Sequence, residues 1–332
     1  MMKKYIYLVV AMFIGAFTAK AQDPMFTQFY AAPLHLGPSF AGGNGESRVI
    51  LNFRDQWPKL SGDYVTFALS VDHFLEKYNS GIGLLILRDE TAGGLITMNN
   101  VGFNYNYNFN LSREWKLSPG LQVYYYTRNI NFNKLIFNDQ LSRNLILPSS
   151  IESERLGSIE PVRHLDVSSS LLAYSDQFWM GFTVDHLLSL NKYLVEDGIY
   201  LPIRVSMYGG GKYILSGRRR NQTKESITGA FNLMIQDKYK YLDIGAYYSR
   251  SPMLFGIWYR GLPVFPDNPN NGAITLQFGY SINNIALSYS YDYTLSRLMT
   301  KTGGAHEISL SFSSQSVKKR SKKRMIPCPT FQ

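Results

Sequence analysis

The chain has 332 residues, 45% of them hydrophobic and only 17% charged, with Tyr 24, Phe 20 and Gly 27. A single cysteine, Cys328, excludes an internal disulfide. The formal charge of +10 would suit a nucleic acid or a membrane, but six basic residues, Lys318, Lys319, Arg320, Lys322, Lys323 and Arg324, crowd the C-terminal end. The body is therefore only mildly basic, and no nucleic-acid partner is expected.

Lys3 and Lys4 precede an apolar run from Tyr5 to Phe17, and Ala19 and Ala21, on either side of Lys20, supply the small residues of a cleavage point. Residues 1–21 read as a secretory signal and lie outside the fold. The run is too short to span a bilayer, and no later stretch reaches the roughly 20 apolar residues that a transmembrane helix needs. No cysteine stands at the cleavage point, so the mature chain is expected to begin near Gln22 without a lipid anchor.

Residues 22–45 are rich in proline, glycine and aromatics and have neither helical nor strand period, which predicts an ordered, irregular, periplasmic leader. Period-two strands begin after it. The clearest is the stretch in which Val101, Phe103, Tyr105, Tyr107 and Phe109 alternate with Gly102, Asn104, Asn106, Asn108 and Asn110. A half-buried strand of a soluble protein has the same look. Its repetition behind a secretion signal, with a mean hydropathy slightly below zero, predicts a transmembrane antiparallel β-barrel of the outer membrane.

The predicted strands in the first half are 47–54, 64–72, 80–88, 97–110, 115–126, 165–173 and 178–185. The second half adds 203–215, 227–236, 239–249, 253–260, 273–280, 285–293 and 306–312. That makes about fourteen strands in one domain, 46–313, an even number that leaves both termini in the periplasm. Long connections alternate with short ones, as in barrels with long outer loops and short periplasmic turns. The one break in that alternation lies at the turns after Leu215 and Gln236.

Alternation also assigns faces. Phe231, Leu233, Ile235, Ile274, Leu276, Phe278, Ile285, Leu287 and Tyr289 should meet lipid, while Thr275, Gln277, Ala286, Ser288, Ser290 and Asp292 line a small-residue lumen that reads as largely uncharged. Trp57, Trp115, Trp179 and Trp258 suit either an interfacial girdle or ordinary strand positions. The connection from Thr127 to His164 carries Phe132, Ile136, Phe137, Leu141, Leu145 and Ile146, too apolar for a free solvated loop. It is expected to plug the barrel or to contact a partner outside it.

Asp72-His73 and Asp185-His186 echo each other but fall at opposite ends of the predicted barrel, so they cannot form one catalytic or metal site. No cofactor or metal is expected, and no enzymatic activity. The C-terminal tail, 314–332, sets the basic cluster before Pro327, Cys328, Pro329 and Phe331, a pattern suited to docking on a periplasmic partner.

The opening Gln22-Asp23-Pro24-Met25-Phe26-Thr27-Gln28-Phe29-Tyr30, followed by Pro33-Leu34 and Gly37-Pro38-Ser39-Phe40-Ala41-Gly42, resembles the start of the PorP/SprF family of Bacteroidetes outer-membrane proteins. The family usually has Asn and Ala where this chain has Gly37 and Ser39. Arg54-Asp55-Gln56-Trp57 and the terminal Pro327-Cys328-Pro329 with Phe331 resemble that family too.

The resemblance implies a barrel of the type IX secretion system. Such a barrel would be a translocation partner or surface anchor for a secreted cargo protein or adhesin, supporting gliding motility. Partners implied are the cargo outside, and periplasmic ring or peptidoglycan-associated components, with outer-membrane lipid around the wall. In the leader, Asp23, Pro24, Phe26, Gln28, Phe29, Tyr30, Pro38 and Phe40 are the expected partner-binding residues. A channel for small or amphipathic solutes is the alternative that the barrel alone leaves open.

Overall fold

The structure, a computed structural model, describes residues 23–43, 45, 47–137, 140–142, 145–146, 161–188, 201–216, 225–237, 239–261, 272–295 and 301–314. Fourteen long strands follow one another around a single antiparallel sheet. They are β1 (Ser47–Gln56), β2 (Tyr64–Leu75), β3 (Ser80–Thr91), β4 (Ile96–Tyr107), β5 (Lys116–Ile130), β6 (Val162–Tyr174) and β7 (Phe178–Asp185). The second half comprises β8 (Arg204–Ser216), β9 (Glu225–Gln236), β10 (Tyr239–Arg250), β11 (Met253–Arg260), β12 (Ala273–Ile282), β13 (Ile285–Thr294) and β14 (Ala305–Ser314). Each predicted strand is present, most of them longer by one to four residues at an end.

Every strand pairs with its sequence neighbour, and β14 returns to pair with β1, from Ser47 opposite Ser314 to Gln56 opposite Ala305. Closure leaves no free edge, which is what backbone amides and carbonyls need where no water is available. One end of the barrel carries the connections 57–63, 92–95, 131–161, 186–203, 237–238, 261–272 and 295–304, and the other the connections 76–79, 108–115, 175–177, 217–224, 251–252 and 283–284. We call these the long-loop end and the short-turn end.

The wall follows the alternation. Val101, Phe103, Tyr105 and Tyr107 of β4 are exposed outward, while Asn104 and Asn106 are buried. Ile274, Leu276, Phe278, Ile285, Leu287 and Tyr289 are likewise outside, with Thr275, Gln277, Ala286, Ser288, Ser290 and Asp292 inside. An outer surface of this kind is soluble only in lipid, so the apolar face has a solvent and needs no partner.

The tryptophans divide. Trp115 is exposed on the outer face, and Trp57 is half-buried beside Tyr64 at the long-loop end. Trp179 and Trp258 are buried inside the lumen. The girdle reading therefore fails for those two, because the lumen contains something apolar for them to pack on.

That something is the leader. Residues 23–43 enter the lumen at the short-turn end, where the Gly42 N–H donates to Asp72 Oδ2 at 2.7 Å. They form three short turns, Phe29–Ala31, Pro33–Leu36 and Pro38–Phe40, and finish at the long-loop end. There Asp23 meets His186, Arg204 and Gln236, at the mouths of β7, β8 and β9. Asp23 and Ser314 thus lie at opposite ends of the barrel.

Candidate functional site: a filled lumen with a charged rim

Two apolar clusters hold the leader. Phe29, Tyr30, Leu36 and Phe40 pack with Leu172, Tyr174, Trp179, Tyr208, Tyr247 and Trp258 on one side of the lumen. Phe26, Ala32, Leu34 and Ala41 pack with Ala68, Leu85, Leu87, Met98, Tyr124 and Tyr126 on the other. Phe29 meets the Trp258 ring edge-on at 5.1 Å, and Tyr30 meets Tyr247 at 4.8 Å. Each fully buried aromatic or aliphatic side chain stabilises by roughly 1.5–3 kcal/mol, so the leader's six large ones contribute on the order of 10 kcal/mol.

Glycines in the wall allow the close approach. A Cβ on Gly81 would fall on the Ala41 carbonyl, and one on Gly120 would fall on the backbone of Pro38 and Ser39. Polar groups of the wall then satisfy the leader's backbone, which has no regular ladder of its own. Asn106 Nδ2 donates to the carbonyls of Ser39 at 2.7 Å and Ala41 at 2.8 Å. The Ser39 N–H donates to Ser170 Oγ at 2.9 Å, and Thr183 Oγ1 donates to the Leu36 carbonyl at 2.9 Å. Asn52 Nδ2 reaches the Ala31 carbonyl at 3.1 Å.

The first charged cluster fixes the tip. Asp23 Oδ2 accepts from His186 Nε2 at 2.7 Å and lies 3.3 Å from Arg204 Nη1. Gln236 brackets the same residue, taking the Asp23 N–H at 3.1 Å and donating to Oδ2 at 3.2 Å. His186 Nδ1 faces Asp166 Oδ2 at 3.0 Å, and Arg204 also pairs with Asp185 at 2.9 Å.

Burial alone would push the imidazole of His186 down, but the Asp23 carboxylate, with Asp166 and Asp185, raises it to about 9. His186 is therefore an imidazolium donating from both nitrogens. Burial pushes the Asp23 carboxyl up, and His186 with Arg204 overcomes it, so Asp23 is held well below the usual carboxylate range. His35, by contrast, is lowered to about 4 by burial and by Arg204. It stays neutral, and its Nε2–H donates to the Pro24 carbonyl at 3.1 Å.

A second cluster lies nearby. Arg54 reaches Asp292 at 2.8 Å and Glu307 at 3.0 Å, and Arg260 pairs with Asp243 at 2.8 Å. Thr27 bonds to Arg54, and its Oγ1 also donates to Asp292 at 2.7 Å. The lumen is thus charged where the sequence pattern reads as nearly uncharged. The charges are tolerated because each is paired or hydrogen-bonded.

The expected site residues separate accordingly. Asp23, Pro24, Phe26, Gln28, Phe29, Tyr30, Pro38 and Phe40 come together, but inside the barrel, half-buried in the case of Pro24 and buried for the rest. They contact the protein's own wall, because their apolar side chains find aromatic partners in the lumen. Pro24 also lines, with His35, Tyr124, Tyr126 and Ser168, a small open recess beside the tip.

Of the 131–161 connection, expected to plug the barrel or to contact cargo, the structure describes residues 131–137, 140–142, 145–146 and 161. Phe132 and Phe137 are half-buried and Ile136 is 60% exposed. Leu141–Ser142 and Leu145–Ile146 form a small hairpin. Lys318, Lys319, Arg320, Lys322, Lys323, Arg324, Pro327, Cys328, Pro329 and Phe331 lie outside the described residues.

Asp72-His73 and Asp185-His186 are indeed at opposite ends. Asp72 pairs with Arg48 at 2.9 Å, and His73 meets Ser47 at 2.8 Å. Among the described residues no group of acidic residues, histidines and cysteines is arranged to hold a metal ion. The residues that sequence reasoning passed over, Arg54, Asp166, Arg204, Asp243, Arg260 and Glu307, each sit on the inward phase of a strand. Alternation alone could have marked them.

Fold and lumen together define the class: a closed outer-membrane barrel whose interior is occupied by its own N-terminal segment. The family model described as type IX secretion system membrane protein PorP/SprF matches residues 18–312, and the chain belongs to that family. No curated protein sequence matches the chain.

Among solved structures, the chain is similar to the toluene transporter TbuX of Ralstonia pickettii, with 10% identity, 86% of this chain and 93% of that chain covered, and a TM-score of 0.49. The P. putida toluene transporter TodX gives 10% identity, 84% and 92% coverage, and a TM-score of 0.47. The Acinetobacter baumannii outer membrane protein Omp33 gives 8% identity, 82% and 100% coverage, and a TM-score of 0.39. Likeness at this level says nothing about a ligand. The family and the barrel point to a membrane component of type IX secretion rather than to an enzyme.

Proposed function

We propose that this barrel is a cargo-specific partner or surface anchor in type IX secretion. It holds a secreted protein or adhesin at its long-loop end, and supports gliding motility where the cargo is an adhesin. The short-turn end faces the periplasm in this reading, and the basic tail, 314–332, engages ring or peptidoglycan-associated components there.

The observation that carries the reading is the filled lumen. A solute channel needs an open path, whereas a platform needs a rigid barrel and large connections at one end. Leader and wall supply the rigidity, and the long connections 131–161 and 186–203 join β5 to β6 and β7 to β8 at that end.

The test is affinity capture of the tagged full chain from native outer membranes, followed by mass spectrometry, beside a chain ending at Val317. A large secreted protein recovered with both chains, and periplasmic proteins lost from the shorter one, is the expected result. Recovery of neither, with steady ion conductance of the purified barrel in a planar bilayer, would favour the channel.

A further inference from the structure

The closing pair β1–β14 joins residues about as far apart in the chain as any two strands can be. Arg54 stands opposite Glu307 across this pair, and their side chains meet at 3.0 Å inside the lumen. Glu307 is fully buried. Its carboxylate accepts two further bonds, from the backbone N–H groups of Thr27 at 2.7 Å and Gln28 at 2.9 Å.

Gln28 continues the contact. Its Nε2 donates to the Glu307 backbone carbonyl at 3.2 Å and to Ser290 Oγ on β13 at 3.1 Å, and Ser288 bonds to its Oε1. Thr27 adds Asp292 of β13, Arg54 of β1 and, at 3.2 Å, Arg260 of β11. Two leader residues therefore touch both strands of the closing pair and the strand beside it.

We propose that the leader is an internal staple of this seam, a permanent part of the closed barrel and not a plug that leaves. The chain makes the leader before β1 and completes its contacts only when β14 arrives. Closing a ring over so many residues carries a large entropic cost, and an open seam in lipid leaves two rows of backbone groups unpaired. A dipeptide already bound to β1 presents β14 with donors for a carboxylate that would otherwise be buried with a single partner. The register follows, because a one-residue slip would turn Glu307 to the lipid. Holding the leader in place are the apolar clusters around Phe29, Leu34 and Phe40, which in an emptied lumen would face water.

The test locks the seam by other means. In a Cys328→Ser background, Leu51→Cys and Leu310→Cys stand directly opposite on β1 and β14 and can be joined by a disulfide. Glu307→Gln is then introduced, and the temperature of the heat-induced gel-mobility shift is measured in reduced and oxidised protein. The staple predicts a fall of roughly 5 °C in the reduced form and less than half of that in the oxidised one. An equal fall in both overturns it, since the contact would then stabilise the barrel without regard to the seam.

Should Glu307→Gln fail to fold, Gln28→Ala is measured in the same way with the same two outcomes. A protease site inserted between residues 43 and 47 and cut in the folded barrel separates staple from gate. Retention of the 23–43 fragment with a silent bilayer is expected. Release of the fragment with steady conductance overturns the proposal.

Discussion

Asn104 and Asn106 offer a matched pair for testing how the leader is held. They are the same residue type, two positions apart on β4, both inward and both buried. Asn106 accepts from the Gly81 N–H at 2.8 Å and donates to the carbonyls of Ser39 and Ala41. Asn104 makes one long bond, 3.5 Å to the Gly102 carbonyl, and its Oδ1 has no partner.

Truncation to alanine removes the same atoms from each, so the loss of packing largely cancels in the comparison. Asn106→Ala strands one N–H and two carbonyls. At roughly 1–3 kcal/mol per unsatisfied buried group, with some relief from entering water, the change should cost about 3–6 kcal/mol. Asn104→Ala should cost under about 1 kcal/mol, because the group it removes is already poorly satisfied. Urea unfolding of the barrel in lipid vesicles, followed by tryptophan fluorescence, measures both. If Asn104→Ala proves as destabilising as Asn106→Ala, hydrogen bonding to the leader is not what makes the asparagine face matter.

Other consequences follow from the same geometry. His186 is raised from an ordinary 6.5 to about 9, so its contribution is complete below pH 6.5 and is lost as pH rises through 9. Unfolding midpoints should therefore fall between neutral and mildly alkaline pH, and His186→Gln should flatten that slope. Asp23, held low, contributes above about pH 4 and loses its contribution on acidification, so Asp23→Asn should weaken the barrel at neutral pH and matter little in strong acid. Gly120→Val should displace Pro38 and Ser39 and cost roughly 1–3 kcal/mol, read as faster proteolysis of the leader in the folded barrel. Brominated lipid should quench Trp115 strongly and Trp258 weakly, measured in variants that keep one tryptophan each; equal quenching would place Trp258 outside.

Much of the wall was legible because its signal is local. A period of two over Val101–Asn110 or Ile285–Tyr293 shows within ten residues, and Phe178–Asp185 and Met253–Arg260 emerge with the predicted bounds. Strand ends were less legible, as β5 runs on to Ile130 and β6 starts at Val162, where polar and apolar residues mix. The lumen was the least legible part. Inward-facing Arg54, Asp243 and Glu307 fit the polar phase, yet nothing near them in the chain shows which charge each will meet.

By itself the sequence determined the compartment, the strand count, the outward face and the family, since each rests on neighbours in the chain or on a short motif. Tertiary structure alone decided where the leader goes. Its residues have no period, and the groups that satisfy them lie at twenty or more positions' distance, from Asn52 to Glu307. An aromatic segment of proline and glycine turns has no preferred place until a closed wall offers it rings to pack on and amides to bond. Only the register of fourteen paired strands brings those groups together around the leader, along the length of the lumen.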